Sequence, residues 1–126
     1  MNVKTDTKEK FHVITIEEPA IAANMTAELE QCLQLYLQNN VKNVILNCKD
    51  IQTMDDAAAE AIVKIQQSYY EQNASFVVCG LQPDLENYLD EKGFLEVLNT
   101  TPTESEAWDI IQMEEIEREL MDDENL

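Results

Sequence analysis

The sequence predicts a single α/β domain, a mixed β-sheet of four to five strands with packed α-helices, and three observations predict it. Val44-Ile45-Leu46 and Val77-Val78-Cys79 are nearly continuous apolar runs, as expected of central strands covered on both faces or flanked by parallel neighbours. Between them, Ala58, Ala61, Ile62, Ile65 and Tyr69 recur at helical spacing, so strand, helix and strand form a right-handed crossover unit. Upstream, Phe11 to Ile16 (FHVITI) is β-rich and opens the fold as a hairpin.

The elements follow in order. Val3 and Thr5, spaced by two, mark a weak edge strand joined to FHVITI by a turn near Lys8. Pro19 lacks a ladder donor and closes the strand, and Asn24 or Thr26 is placed to cap the next helix. In that helix Leu29, Cys32, Leu33, Tyr36 and Leu37 form one buried stripe, ended by Asn39-Asn40. The central helix starts near Asp56, buries the stripe named above and exposes Glu60, Lys64 and Gln67. Pro83 opens a short helix carrying Leu85, Tyr88 and Leu89, with Gly93 as its left-handed stop. Phe94 to Leu98 is read as a last short strand. Thr103-Glu104-Ser105-Glu106 is a capping box, and a long terminal helix follows through Trp108 and Ile111. Leu29, Leu33, Ile62, Ile65 and Trp108 are expected to be largely buried against the sheet.

A chain of 126 residues with 44% hydrophobic content suits one globular domain, taken as residues 1–113, followed by an acidic C-terminal helix end or tail, 114–126, that frays in solvent. The chain carries 26 acidic and 8 basic residues, a formal net charge of -18. That field repels phosphate backbones and anionic lipid and favours a basic protein surface as partner. The apolar runs are far too short to span a membrane and the N-terminal segment has no signal-peptide core, so a cytoplasmic location without membrane insertion is expected. Cys32, Cys48 and Cys79 sit singly in apolar segments, the pattern of buried reduced thiols rather than of metal or redox sites.

Chemistry has few places to reside. The lone histidine, His12, lies in mid-strand, and no Ser-His-Asp or Cys-His set accompanies it. Two glycines in the whole chain, Gly80 and Gly93, cannot build a phosphate-cradling loop, which argues against an ATP-dependent enzyme. Asp50, Asp55 and Asp56 raise the question of a Mg2+ pocket like that of a response-regulator receiver. The pair follows the wrong strand for that, and no Lys follows Val97. Capping of the central helix by Asp55 or Asp56 is the plainer reading.

The run Met54-Asp55-Asp56-Ala57-Ala58, set between NVILNC and SFVVCG, resembles the STAS domain, the family of anti-sigma factor antagonists, across about Phe11 to Ile111. Thr26-Ala27-Glu28-Leu29 is similar to that family's first-helix start, Gly93-Phe94-Leu95 to its Gly-Leu element, and Ser105-Glu106-Ala107 to the opening of its last helix. Members usually carry Asp-Ser-Ser-Gly or Asp-Ser-Thr-Gly at the central helix, with the second hydroxyl taking a phosphate. Asp55 matches the Asp, Asp56 replaces the first Ser, Ala57 the phosphorylated residue and Ala58 the Gly; the Gly and Asp frequent before the first helix are matched by Pro19 and Ala22.

The resemblance implies a STAS-like, non-enzymatic bacterial interaction module without cofactor, catalytic residue or metal. Its phosphorylation switch is lost at Ala57, and Asp56 is at most a partial charge mimic. The partners implied are an anti-sigma factor or kinase, or a transporter subunit. The working surface is expected at Thr53, Asp55, Asp56, Ala57 and Glu60, where the small Ala57 and Ala58 leave room for a partner and the carboxylates favour its basic groups. The alternatives are a small-ligand sensor and a transporter-associated subunit on the same fold.

Overall fold

A computed structural model describes residues 1–124, with side chains through residue 121. The opening hairpin is present as β1 (Val3–Thr7) and β2 (His12–Ile16), paired antiparallel with Thr5 opposite Ile14. After β3 (Ala20–Ile21), a 3-10 turn over Ala23–Met25 leads into α1 (Thr26–Gln34). Then come β4 (Val44–Asn47), β5 (Thr53–Met54), α2 (Asp56–Glu71) and β6 (Phe76–Cys79). α3 (Pro83–Glu91), β7 (Thr100–Thr101) and α4 (Glu104–Glu124) complete the order.

The main sheet runs β1-β2-β4-β6-β7, and every pair after the hairpin is parallel. β4 and β6 are adjacent, with Ile45 opposite Val77 and Leu46 opposite Val78. Their unbroken apolar character has a direct cause, because alternate side chains enter two separate cores. Ile14, Ile16, Val44, Leu46, Phe76 and Val78 face α1, α2 and α3. Phe11, Val13, Ile45, Val77 and Cys79 face α4, through Ala107 and Ile111. Leu29, Leu33, Ile62 and Ile65 are buried as expected. Trp108 is not: it lies half-buried on the α4 side, stacked on Phe11 at 4.5 Å, because it sits at the margin of that smaller core.

Three local readings change. Phe94 to Leu98 is no strand. The Phe94 amide donates to the Leu89 carbonyl and the Gly93 amide to that of Asp90, a Schellman stop that turns the chain helically onto α3, and the last strand forms later, at Thr100. Neither Asn24 nor Thr26 caps α1. The 3-10 turn occupies that entry, and the Thr26 hydroxyl donates back to the Ala23 carbonyl. At α4 the Thr103 hydroxyl oxygen accepts the Glu106 amide at 3.2 Å, but the Glu106 carboxylate accepts that same hydroxyl's proton at 3.0 Å rather than the Thr103 amide.

Where α4 meets the amino-terminal ends of β4 and β6, the contact becomes polar. Asn43 is buried and joins four segments: its amide group donates to the Lys10 carbonyl and to Glu115, and its Oδ1 accepts the Ser75 amide at 2.8 Å and Arg118 at 3.4 Å. Asn43→Ala strands the buried Ser75 amide, so chemical denaturation is expected to show a loss of about 1–3 kcal/mol. An unchanged midpoint would mean water replaces the amide at no cost.

Candidate functional site

β5 and the start of α2 carry all the residues singled out in the sequence. The chain leaves β4, and the amides of Gln52 and Thr53 both donate to the Pro19 carbonyl, at 2.7 and 3.2 Å. β5 then pairs in parallel with β3, Ala20 opposite Thr53 and Ile21 opposite Met54. The Asp55 amide completes this stitch by donating to the Ile21 carbonyl at 2.9 Å. The loops entering α1 and α2 are thereby one unit. Met54 and Ile21 anchor it in the core, while Thr53, Asp55, Asp56, Ala57 and Glu60 are exposed on one continuous stretch.

The two aspartates do something other than cap α2. Asp55 occupies the N-cap position with extended backbone, and its carbonyl accepts the Ala59 amide, but its carboxylate makes no cap bond to its own helix. Its Oδ2 accepts the Ala23 amide at 2.8 Å, satisfying the first orphan donor of the 3-10 turn before α1. Asp56, the first residue of α2, accepts the Tyr88 hydroxyl and pairs with the Lys92 ammonium at 3.6 Å. The two carboxylates are held by different elements, Asp55 by the α1 entry and Asp56 by α3. Among the described residues no group of three His, Cys, Asp or Glu side chains gathers as a metal site.

Ala57 is exposed in the first turn, whereas Ala58 and Ala59 have no solvent-accessible surface. The small size of Ala58 thus serves close packing of α2 on the core; only Ala57 offers room to an approaching partner. Beyond the first turns, Glu60 and Lys64 border a groove of about 300 Å3 whose apolar wall is Val63, Phe94 and Val97. A larger groove, about 670 Å3, lies along α1 and is lined largely by Glu30, Gln31, Gln34, Gln38 and Gln72.

The remaining chemical candidates have structural roles. His12 is buried; its Nε2 donates to the Val41 carbonyl at 2.8 Å, and Nδ1 meets the Thr7 hydroxyl at 3.0 Å. All three cysteines are free. Burial pushes the Cys48 and Cys79 thiols up to about 12, the neighbouring Cys79 adding to the effect at Cys48 and Glu104 to that at Cys79. Alkylation of the folded protein near pH 8 should therefore modify Cys32 first and the other two only after denaturant is added. Rapid labelling of Cys48 in the folded chain would contradict its burial.

The model of the STAS domain matches residues 2–107, from β1 through the first turn of α4. The chain belongs to the STAS domain family. Solved structures similar to this STAS domain include an anti-sigma factor antagonist from Mycobacterium paratuberculosis, with 11% identity, a TM-score of 0.76 and 88% of this chain aligned to 93% of that one. The anti-sigma factor antagonist SpoIIAA of Bacillus, in its unphosphorylated form, aligns with 13% identity and a TM-score of 0.69 over 88% of this chain and 96% of that one. A murine Slc26a9 anion transporter aligns with 13% identity and a TM-score of 0.68, covering 82% of this chain but 18% of the transporter. At these identities the likeness is one of fold. No curated protein matches the chain in sequence.

Sequence reasoning missed the groups that fix this STAS domain's site geometry. Tyr88 on α3 and Lys92 at its C-cap stand four residues apart and so share one side of the helix, a visible signal. That this face meets Asp56 depends on how α2 and α3 lie against the sheet, which no local pattern encodes. The Asp55 to Ala23 bond spans 32 residues and had no sequence signal.

Proposed function

We propose that this STAS domain is a non-enzymatic protein-interaction module, a cytoplasmic bacterial regulator resembling anti-sigma factor antagonists, whose partner surface is formed by Thr53, Asp55, Asp56, Ala57 and Glu60. One observation carries the reading: the α2 entry is rigidly tied to α1 and α3, yet leaves Ala57 and the surrounding carboxylates facing solvent. A fixed, exposed and acidic first turn suits recognition of a basic protein surface, such as that of an anti-sigma factor or kinase. In this reading Ala57 stands where the family takes its phosphate, so the module is constitutive. Asp56 is at most a partial mimic of that phosphate, since it carries about one unit of charge, sits one residue early and is shared with Tyr88 and Lys92. Residues 114–126, the acidic C-terminal helix end or tail, act outside this surface, and 125 and 126 lie outside the described residues.

Incubation with an anti-sigma kinase that binds the domain, together with ATP, should leave its intact mass unchanged. A phosphate mapped to Thr53 or Ser68 would show that the switch has moved to a neighbouring hydroxyl. The likeness to a segment of the anion transporter supports a second reading, a transporter-associated subunit. No helix among the described residues is long and apolar enough to cross a membrane. Recovery of a polytopic protein in stoichiometric amount with the native domain would favour it.

A further inference from the structure

α4 reverses its amphipathic character midway. In its first turns the apolar residues Ala107 and Ile111 face the sheet. Further on, the sheet side is polar: Glu114 accepts the Tyr70 hydroxyl, Glu115 accepts from Asn43, and Arg118 donates to Ser75 and Asn43. The apolar residues of that half point the other way. Met113, Ile116 and Leu120 follow one another at intervals of three and four and are 61%, 57% and 57% exposed. They form a straight seam on the solvent side of the helix. The inward polar bonds fix the rotation of α4, so the seam cannot turn to bury itself on its own sheet.

The charge around the seam selects its occupant. Glu117 and Glu119 are exposed beside the seam and Asp109 about one turn before it, while the single cation of α4, Arg118, is turned inward by its bonds to Ser75 and Asn43. A second copy of a chain with net charge -18 would bring like charges together along the seam, which disfavours self-association. Anionic lipid is repelled for the same reason. We propose that the outer face of α4 is a second docking surface, separate from the α2 entry, and that its occupant is a basic amphipathic helix of another protein. Apolar residues of that helix spaced three and four apart would cover Met113, Ile116 and Leu120, and its flanking Lys and Arg would meet the carboxylates.

The test uses the full chain and a designed helical peptide of about 18 residues, five turns, with a Leu seam at that spacing and Lys or Arg at the flanking positions. Titration calorimetry should show one-to-one binding to the wild-type chain. The double variant Ile116→Gln/Leu120→Gln, which keeps every charge, should bind about a hundredfold more weakly, given the apolar surface each side chain contributes. Glu86→Lys, an exposed position on α3 at the opposite face of the sheet, makes a charge change without touching either surface and should bind the peptide as wild type does. Equal affinity of the double variant would overturn the proposal, because charge alone would then explain the binding. A wild-type dimer in sedimentation equilibrium that the double variant abolishes would overturn it in favour of a second copy.

Discussion

Phe76→Ala is expected to lower the unfolding free energy by about 3–5 kcal/mol, a large part of the 5–15 kcal/mol that holds a typical domain. Phe76 is fully buried, starts the central strand β6 opposite Val44, and packs its ring at 5.1 Å and 59° against Tyr69 of α2. Truncation removes both the transferred apolar surface and the aromatic contact, and leaves a cavity that two regular elements on either side cannot close. Tyr69 is itself held by donating its hydroxyl to the Leu33 carbonyl of α1, so its ring is not free to swing into the gap. Urea denaturation followed by circular dichroism reads the loss. A shift below about 1 kcal/mol would mean the helix layer relaxes into the cavity and is less closely packed than its burial indicates.

The second large effect concerns recognition. Ala57→Glu places bulk and a negative charge at the exposed first turn of α2, and should weaken a verified protein partner by at least about a hundredfold while the melting temperature stays close to wild type. Asp56→Lys acts through two routes at once. It reverses the charge offered to the partner and sets a cation against Lys92, replacing an attraction at 3.6 Å with repulsion. Because that pair is half-exposed, its loss should cost little stability, and the main effect should fall on binding. Wild-type affinity in both variants would remove the α2 entry from the interface.

The central strands were legible because burial on both faces leaves a short unbroken apolar run, and the helices because their stripes keep a 3.6-residue period. Pro83 and Gly93 marked the ends of α3 by backbone chemistry alone, and Gly93 does adopt a left-handed φ of 82°. Phe94 to Leu98 misled for a physical reason. Its apolar residues fit a helical turn as well as a strand, and only the Schellman stop, with Phe94 bonded back to Leu89, decides between them. At the site, the sequence indicated which residues stand together on the α2 entry. It did not indicate what their side chains hold. Capping is the local choice for an aspartate at a helix start, yet both carboxylates are taken by groups distant in sequence, Ala23 for Asp55 and Tyr88 with Lys92 for Asp56. The seam on α4 was hidden in the same way, because a sequence read as an acidic tail shows its charges before it shows which side they face.

The most direct test of the account is amide hydrogen exchange of the native chain with and without a protein partner recovered by affinity purification and confirmed by reconstitution. Protection on binding is expected in the segment Thr53 to Glu60 and in the stitched loop from Ala20 to Met25, the two stretches that β3, β5 and Asp55 hold together. Unchanged exchange across both segments, with protection confined to other surfaces, would contradict the placement of the working surface at the start of α2.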